Sequence, residues 1–409
     1  MQAFLTVLLL CSLALYLPAC PAADDIHLVL PEQRIPATAL AVVVNDADPL
    51  SVRIGNYYRK ARNIPARNML HVHFTPGKPR MRRAEFRLIK AQLDAATPPS
   101  VQAYAITWTA PYRVDCMSMT SAFAFGFDEA FCSRKNCAPT RRSDLFGYGG
   151  ATPYTDFGIR PAMVVAAGSF AQARALIDRG VASDATGPAG TAYLVSTSDK
   201  ARNVRARHYA TIKLHMQDWI NTRVVQTEAL QDINNVLFYF TGKTRVPHLD
   251  TLHFVPGAVA DHLTSTGGRL TDSRQMSALR WLEAGATGSY GTVVEPCNLT
   301  GKFPNPGLLM DAYSAGRTLL QAYWQSVQQP GEGIFIGEPL AAPFTGFTLE
   351  EHNDRLVLKT RVLLPGRYRL YYSEGPAGPY RTLPGQLKVR YHQRLFMLPD
   401  AGPGYYRLE

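Results

Sequence analysis

The segment FVPGAVADHLTSTGG, residues 254–268, gathers Asp261, His262, Thr264, Ser265 and Thr266 directly after an apolar run. An imidazole beside a carboxylate is the pairing a general base requires. A nucleophile is available downstream in VVEPCN, where Cys297 follows Glu295. A thiolate is the reactive form of cysteine, and an imidazolium or the nearby Lys302 would stabilise it. In this reading Cys297 attacks, His262 is its base, and Asp261, Glu295 or Asp46 orients the ring. Ser265 is an alternative nucleophile but lacks the G-x-S-x-G elbow. The competing structural reading has Asp261 and His262 bonding backbone at a crowded turn, with Cys297 buried or in a disulfide. A metal held by Asp261, His262 and Asp46 would have no H-E-x-x-H-type spacing behind it. Neither a metal nor a cofactor is expected.

Such groups act together only if the fold delivers them to one place. From residue 39 the chain alternates. ALAVVVN reads as a buried strand, DPLSVRIGNYYRKARNI as a helix, NMLHVHF as a strand, RRAEFRLIKAQLDAA as a helix and VQAYAITWT as a strand. AMVVAAG, GTAYLVST, NVLFYFTG, LDTLHFVPG, ATGSYGTVVEP and GIFIGEP add further strands. A helix is expected over 203–228, and another over DSRQMSALRWLEAG with Asp272 as its N-cap and Gly285 at its end. This is the pattern of an α/β fold, a mainly parallel sheet with helices on both faces. Ligands bind such sheets beyond the carboxyl ends of the strands. The expectation is a pocket with Asp261 and His262 at its mouth, lined also by Asp46, Lys243 and Glu295. Ser265, after the same strand as His262, and Arg113 and Glu338, near other strand ends, are further binding candidates.

The chain has 409 residues, 46% hydrophobic and 18% charged, so it is globular and can bury a sizeable core. Residues 1–23 read as a signal peptide, an apolar run ending in small residues, although no Lys or Arg precedes it. LPAC also resembles a bacterial lipoprotein box, which would make Cys20 a lipid-anchored residue. The α/β core is expected over 38–345, with an irregular insertion at 113–160. After it, 346–409 alternates apolar and polar residues between Pro-Gly and Gly-Pro turns, as a small antiparallel, sandwich-like β domain does. Cys116, Cys132, Cys137 and Cys297 form an even set, which in an oxidising compartment points to disulfides, one of them within 116–137. The net charge of +11 is concentrated in YYRKARNIPAR, KPRMRRAEFR and RNVRARH. It suits an anionic partner or simply solvated helix faces. Aromatic residues do not interleave with the arginines, so no nucleic-acid platform is expected.

Several long motifs carry a resemblance. VVVNDADPLSVRIGNYYRKARNIPARN, GAVADHLTSTGG, SALRWLEAGATGSYGTVVEPCN, KFPNPGLLMDAYSAGRTLLQAYWQSV and GIFIGEPLAAPF resemble a bacterial family of exported proteins found in species with exosortase-type sorting systems. The resemblance implies an envelope location without implying an activity. A more distant similarity is to gingipain and caspase-like cysteine peptidases, in the order of FYFTGK, FVPGAVADHLTS, GATGSYGTV and GEPL. Their catalytic pair does not carry over: Thr241, Gly242 and Lys243 stand where the histidine belongs, and no cysteine follows the next strand. The readings that remain are an exported hydrolase using His262 and Cys297, a non-enzymatic envelope protein binding a peptide or anionic polymer, and an assembly accessory docking through its β domain.

Overall fold

The computed structural model describes residues 26–133, 137–352 and 355–409. The expected leader, with Cys20, lies outside them. The core opens with strand β1 (Leu40–Asn45), helix α1 (Pro49–Ala61), β2 (Met69–Val72), α2 (Arg83–Ala96) and β3 (Ala103–Ile106). It continues through β4 (Ala162–Val164), α3 (Phe170–Ser183), β5 (Thr191–Ser196), α4 (Tyr209–Met216), β6 (Asn221–Gln226), β7 (Ile233–Gly242) and β8 (Leu252–Leu263). β9 (Gly288–Thr292), α5 (Pro306–Ser314), α6 (Leu319–Ser326) and β10 (Gly333–Gly337) complete it. These strands form one 10-stranded, mostly parallel sheet in the order β6-β5-β7-β8-β9-β10-β4-β3-β1-β2. β10 runs antiparallel to β9.

β1 and β3 are buried at every position, as strands covered on both sides must be. Val42 and Val44 meet Gly55 of α1, where a Cβ would lie 2.2 Å from Val44 Cγ1; only glycine lets the helix come this close. Tyr104, registered with Ala41 and so turned to the other face, packs on Phe123 of the short helix Met119–Phe125. Helices therefore cover both faces, as the alternation predicts. α1 is started by Asp48, whose side chain accepts from Leu50 N at 3.0 Å with proline at the first helical position.

Two elements differ from expectation. The helix expected over 203–228 ends at Met216, and the chain then forms the edge strand β6. β6 is largely exposed, with one neighbour only, so NTRVVQ lacks the apolar run that marks an inner strand. In DSRQMSALRWLEAG only Leu279–Glu283 is α-helical. Asp272 caps nothing there and accepts the Tyr112 hydroxyl instead. Gly285 does follow the helix, at φ 115°.

The insertion at 113–160 is mostly irregular but carries the short helix Met119–Phe125 and is tied by Cys116–Cys132, the bridge expected within 116–137. The C-terminal unit is a set of small sheets with its own core, including Leu356, Leu358, Phe396 and Tyr406. The strand Ile26–Val29 pairs parallel with Gly404–Leu408, so the first described residues belong to this unit as well. Among the described residues no helix is long and apolar enough to cross a membrane.

Candidate functional site

The polar segment after FVPG is a loop only from Thr264 onward. β8 runs through Pro256 and Gly257 and continues to Leu263. Between the pairs Val236/Phe254 and Phe238/Val259, five residues of β8 advance against two of β7. This bulge absorbs the Pro-Gly step. Gly257 sits at φ +87°, and a Cβ there would come within 3.1 Å of Ser183 and Pro343. Pairing then resumes, with Asp261 opposite Phe240 and His262 opposite Thr241. Consecutive residues of a strand point to opposite faces. Asp261 therefore cannot orient His262, and the expected acid-base pair is divided by the sheet.

His262 is 1% exposed. Its Nδ1 accepts from Trp281 Nε1–H at 2.9 Å, which leaves Nε2–H to donate to the Met276 carbonyl at 3.2 Å. Both ring nitrogens are used, and burial pulls the imidazole down to about 3 against the opposing Met276 bond. A neutral ring locked between an indole and a backbone carbonyl is no general base. It does make stability pH-dependent. An unfolded histidine takes up its proton near pH 6.5, the folded one near 3, so between these values the unfolded chain binds more protons. The contribution is complete above about pH 6.5 and is lost as pH falls, amounting to about 2 kcal/mol at pH 5. His262→Gln is expected to flatten the fall in unfolding free energy between pH 7 and 5, measured by urea denaturation, by that amount. An unchanged pH profile in the variant would contradict the buried, neutral ring.

Asp261, also 1% exposed, projects to the other face and pairs with Arg205 at 2.6 Å. The Arg205 guanidinium also donates to the Thr241 and Pro304 carbonyls at 2.8 and 3.2 Å. Burial pushes the Asp261 carboxyl up and Arg205 opposes it. Arg205 forms part of the wall of a cavity of about 180 Å³ shared with His208, Thr300, Asn305 and Gln328.

Cys297 is bonded to Cys137, which removes the nucleophile. Glu295, expected as an orienting or binding carboxylate, accepts the Cys297 amide at 2.8 Å and shapes that turn. Lys302 is fully buried, donating to Glu332 at 2.7 Å and Ser133 at 2.6 Å, and is not available to a thiolate. Ser265 lies half-buried after β8, its carbonyl accepting the Thr292 hydroxyl at 3.0 Å, with both nitrogens of His262 engaged elsewhere. Asp46 is five positions along the sheet from β8, about 24 Å at the usual strand spacing, and bonds His71 at 2.7 Å. Arg113 stays in the insertion, donating to the Asp115 carbonyl at 3.1 Å. Glu338 falls at the start of β9, where its amide donates to Thr287 O at 3.0 Å. There it is buried with Tyr58 at 2.6 Å and with Arg62, which also pairs with Asp184. Of the expected pocket, Lys243 and Glu295 do follow the strands flanking β8, yet Lys243 pairs with Glu228.

A larger concavity than the one at Arg205 lies just past the carboxyl end of β7. It is a groove of about 840 Å³. Val246, Leu249 and Met276 form a buried apolar floor, and Lys243, Arg245 and Arg280 outnumber the one carboxylate of the lining, Asp250. Arg245 is exposed and donates to the Arg274 carbonyl at 3.2 Å, with no acidic partner among the described residues. Lys243, Arg245 and His248 were legible as polar groups after a strand. Met276 and Arg280 were not, because their segment reads as one continuous helix. In comparisons with known proteins, no family model, no curated protein and no solved structure matches this chain.

Proposed function

We propose that this is a non-catalytic, exported envelope protein whose groove past β7 holds an acidic peptide segment. The observation that carries the reading is the groove itself: an apolar floor of Val246, Leu249 and Met276 in a lining that also holds Lys243, Arg245 and Arg280. Its size falls in the range of roughly 300–1,000 Å³ usual for ligand sites. A polysaccharide would gain little from the apolar floor, whereas a peptide can seat an aliphatic side chain there and present carboxylates to the cations. Lys243 and Arg280 are each already paired, with Glu228 and Glu283, so Arg245 is the first contact for an incoming carboxylate. Two disulfides support an oxidising compartment, in keeping with the leader read from the sequence. The engaged nitrogens of His262 and the bridged Cys297 argue against the hydrolase reading.

Fluorescence anisotropy with labelled hexapeptides of alternating Glu and Leu, against the same peptides with Lys for Glu, tests this directly. Binding of the acidic set is expected, weakening as salt is raised. Arg245→Glu should weaken it by about tenfold or more, roughly 1.4 kcal/mol. Equal affinity for both charge signs, or no response to Arg245→Glu, would sink the proposal.

A further inference from the structure

A cluster of ligand-type side chains forms where the C-terminal unit meets the α/β core. His215 lies in the last turn of α4 and Asp311 in α5. His392 comes from the turn between strands Leu387–Val389 and Leu395–Pro399 of the C-terminal unit. One ligand atom from each of the three lies within 4.8 Å of the others. Asp311 Oδ1 is 3.0 Å from His392 Nε2 and 3.9 Å from His215 Nε2. Tyr391 adds a hydroxyl, 2.7 Å from Asp311 Oδ2 and 3.3 Å from His215 Nε2. His392 holds φ 59°, a left-handed conformation uncommon outside glycine, and its ring sits edge-on to Trp219 with centroids 4.8 Å apart.

We propose that His215, Asp311 and His392 bind one Zn²⁺ ion that fastens the C-terminal unit to the core, with the Tyr391 hydroxyl or a water completing the shell. Two imidazoles and a carboxylate suit zinc, whereas Ca²⁺ and Mg²⁺ favour all-oxygen shells. Zinc–nitrogen bonds of about 2.0–2.1 Å in a tetrahedron place ligand atoms about 3.3 Å apart. The two carboxylate–imidazole separations of 3.0 and 3.9 Å bracket that value, and the ligand atoms of the two imidazoles lie within 4.8 Å of each other, so side-chain rotation must close the set around an ion. Each imidazole would present its Nε2 lone pair and keep its proton on Nδ1. The Asp311 oxygens would exchange their Tyr391 and His392 bonds for the ion. Access is open: the side chains of His215, Asp311 and His392 are 45%, 25% and 13% exposed. The ligands are contributed by segments as far apart as residues 215 and 392, so no local spacing in the sequence announces the site.

The test uses the full chain stripped with EDTA and titrated with Zn²⁺ by calorimetry, then with Co²⁺ followed by visible absorption. One equivalent of Zn²⁺ is expected, together with the d–d bands of a four- or five-coordinate Co²⁺. His215→Ala and His392→Ala should each weaken binding by more than about 100-fold. If either variant fails to fold, ¹⁵N spectra of the wild-type histidines decide, since Zn²⁺ should shift the Nε2 signals of two of the 10 histidines. No binding, binding unaltered in folded variants, or shifts at other histidines would overturn the site.

Discussion

Asp261→Ala is expected to destabilise the protein by about 3–5 kcal/mol. The carboxylate and its partner Arg205 are both at or below 4% side-chain exposure, 2.6 Å apart. Removing one member strands a guanidinium whose remaining bonds are to the Thr241 and Pro304 carbonyls, neutral acceptors that cannot offset a buried charge. The loss should therefore exceed what an exposed ion pair contributes, about 0–1 kcal/mol. Removing both charges, Asp261→Leu with Arg205→Met, should be far milder than the sum of the two single changes, because no uncompensated ion remains. Urea denaturation of the four species measures this. A single-variant loss below about 1 kcal/mol would mean that water or another group reaches the pair.

The second large effect belongs to Cys137–Cys297. The bridge joins positions 160 residues apart, linking the insertion to the turn after β9. Closing so long a segment removes much of the entropy of the unfolded chain. Cys297→Ser paired with Cys137→Ser should lower the unfolding free energy by about 2–5 kcal/mol. Losing Cys116–Cys132, which spans 16 residues, should cost less in the same model. Urea midpoints for the two paired variants compare them. A smaller effect for the long bridge would show that the insertion is held by packing and not by its crosslink.

The main sheet was legible because β1, β3, β5 and β7 are written as apolar runs and α1 to α3 as amphipathic periods, each local signal agreeing with the buried parallel arrangement. Edge strand β6 was not, since a strand with one neighbour need not be apolar. The candidate site failed at one step. Pro256-Gly257 reads as the end of a strand, but a bulge carries β8 past it, so Asp261 and His262 are ladder residues and not rim residues. Once Asp261 and His262 are in the ladder, the period of two sends them to opposite faces. The order of strands was the other hidden variable. Nothing local in NDADP says that β1 lies five positions from β8, so the sequence pattern does not separate Asp46 from a pocket it cannot reach. The polar groups after β7 were legible; what they frame depended on the fold of 272–280, which local pattern misassigned.

The central claim is that the residues with catalytic appearance hold the fold together. It is tested most directly by alkylating the native protein with iodoacetamide without reductant and mapping its peptides. The account predicts that Cys116, Cys132, Cys137 and Cys297 remain unmodified and that peptides joined through Cys137–Cys297 are recovered. Rapid, stoichiometric modification of Cys297 would contradict it and return that thiol to the list of candidate nucleophiles.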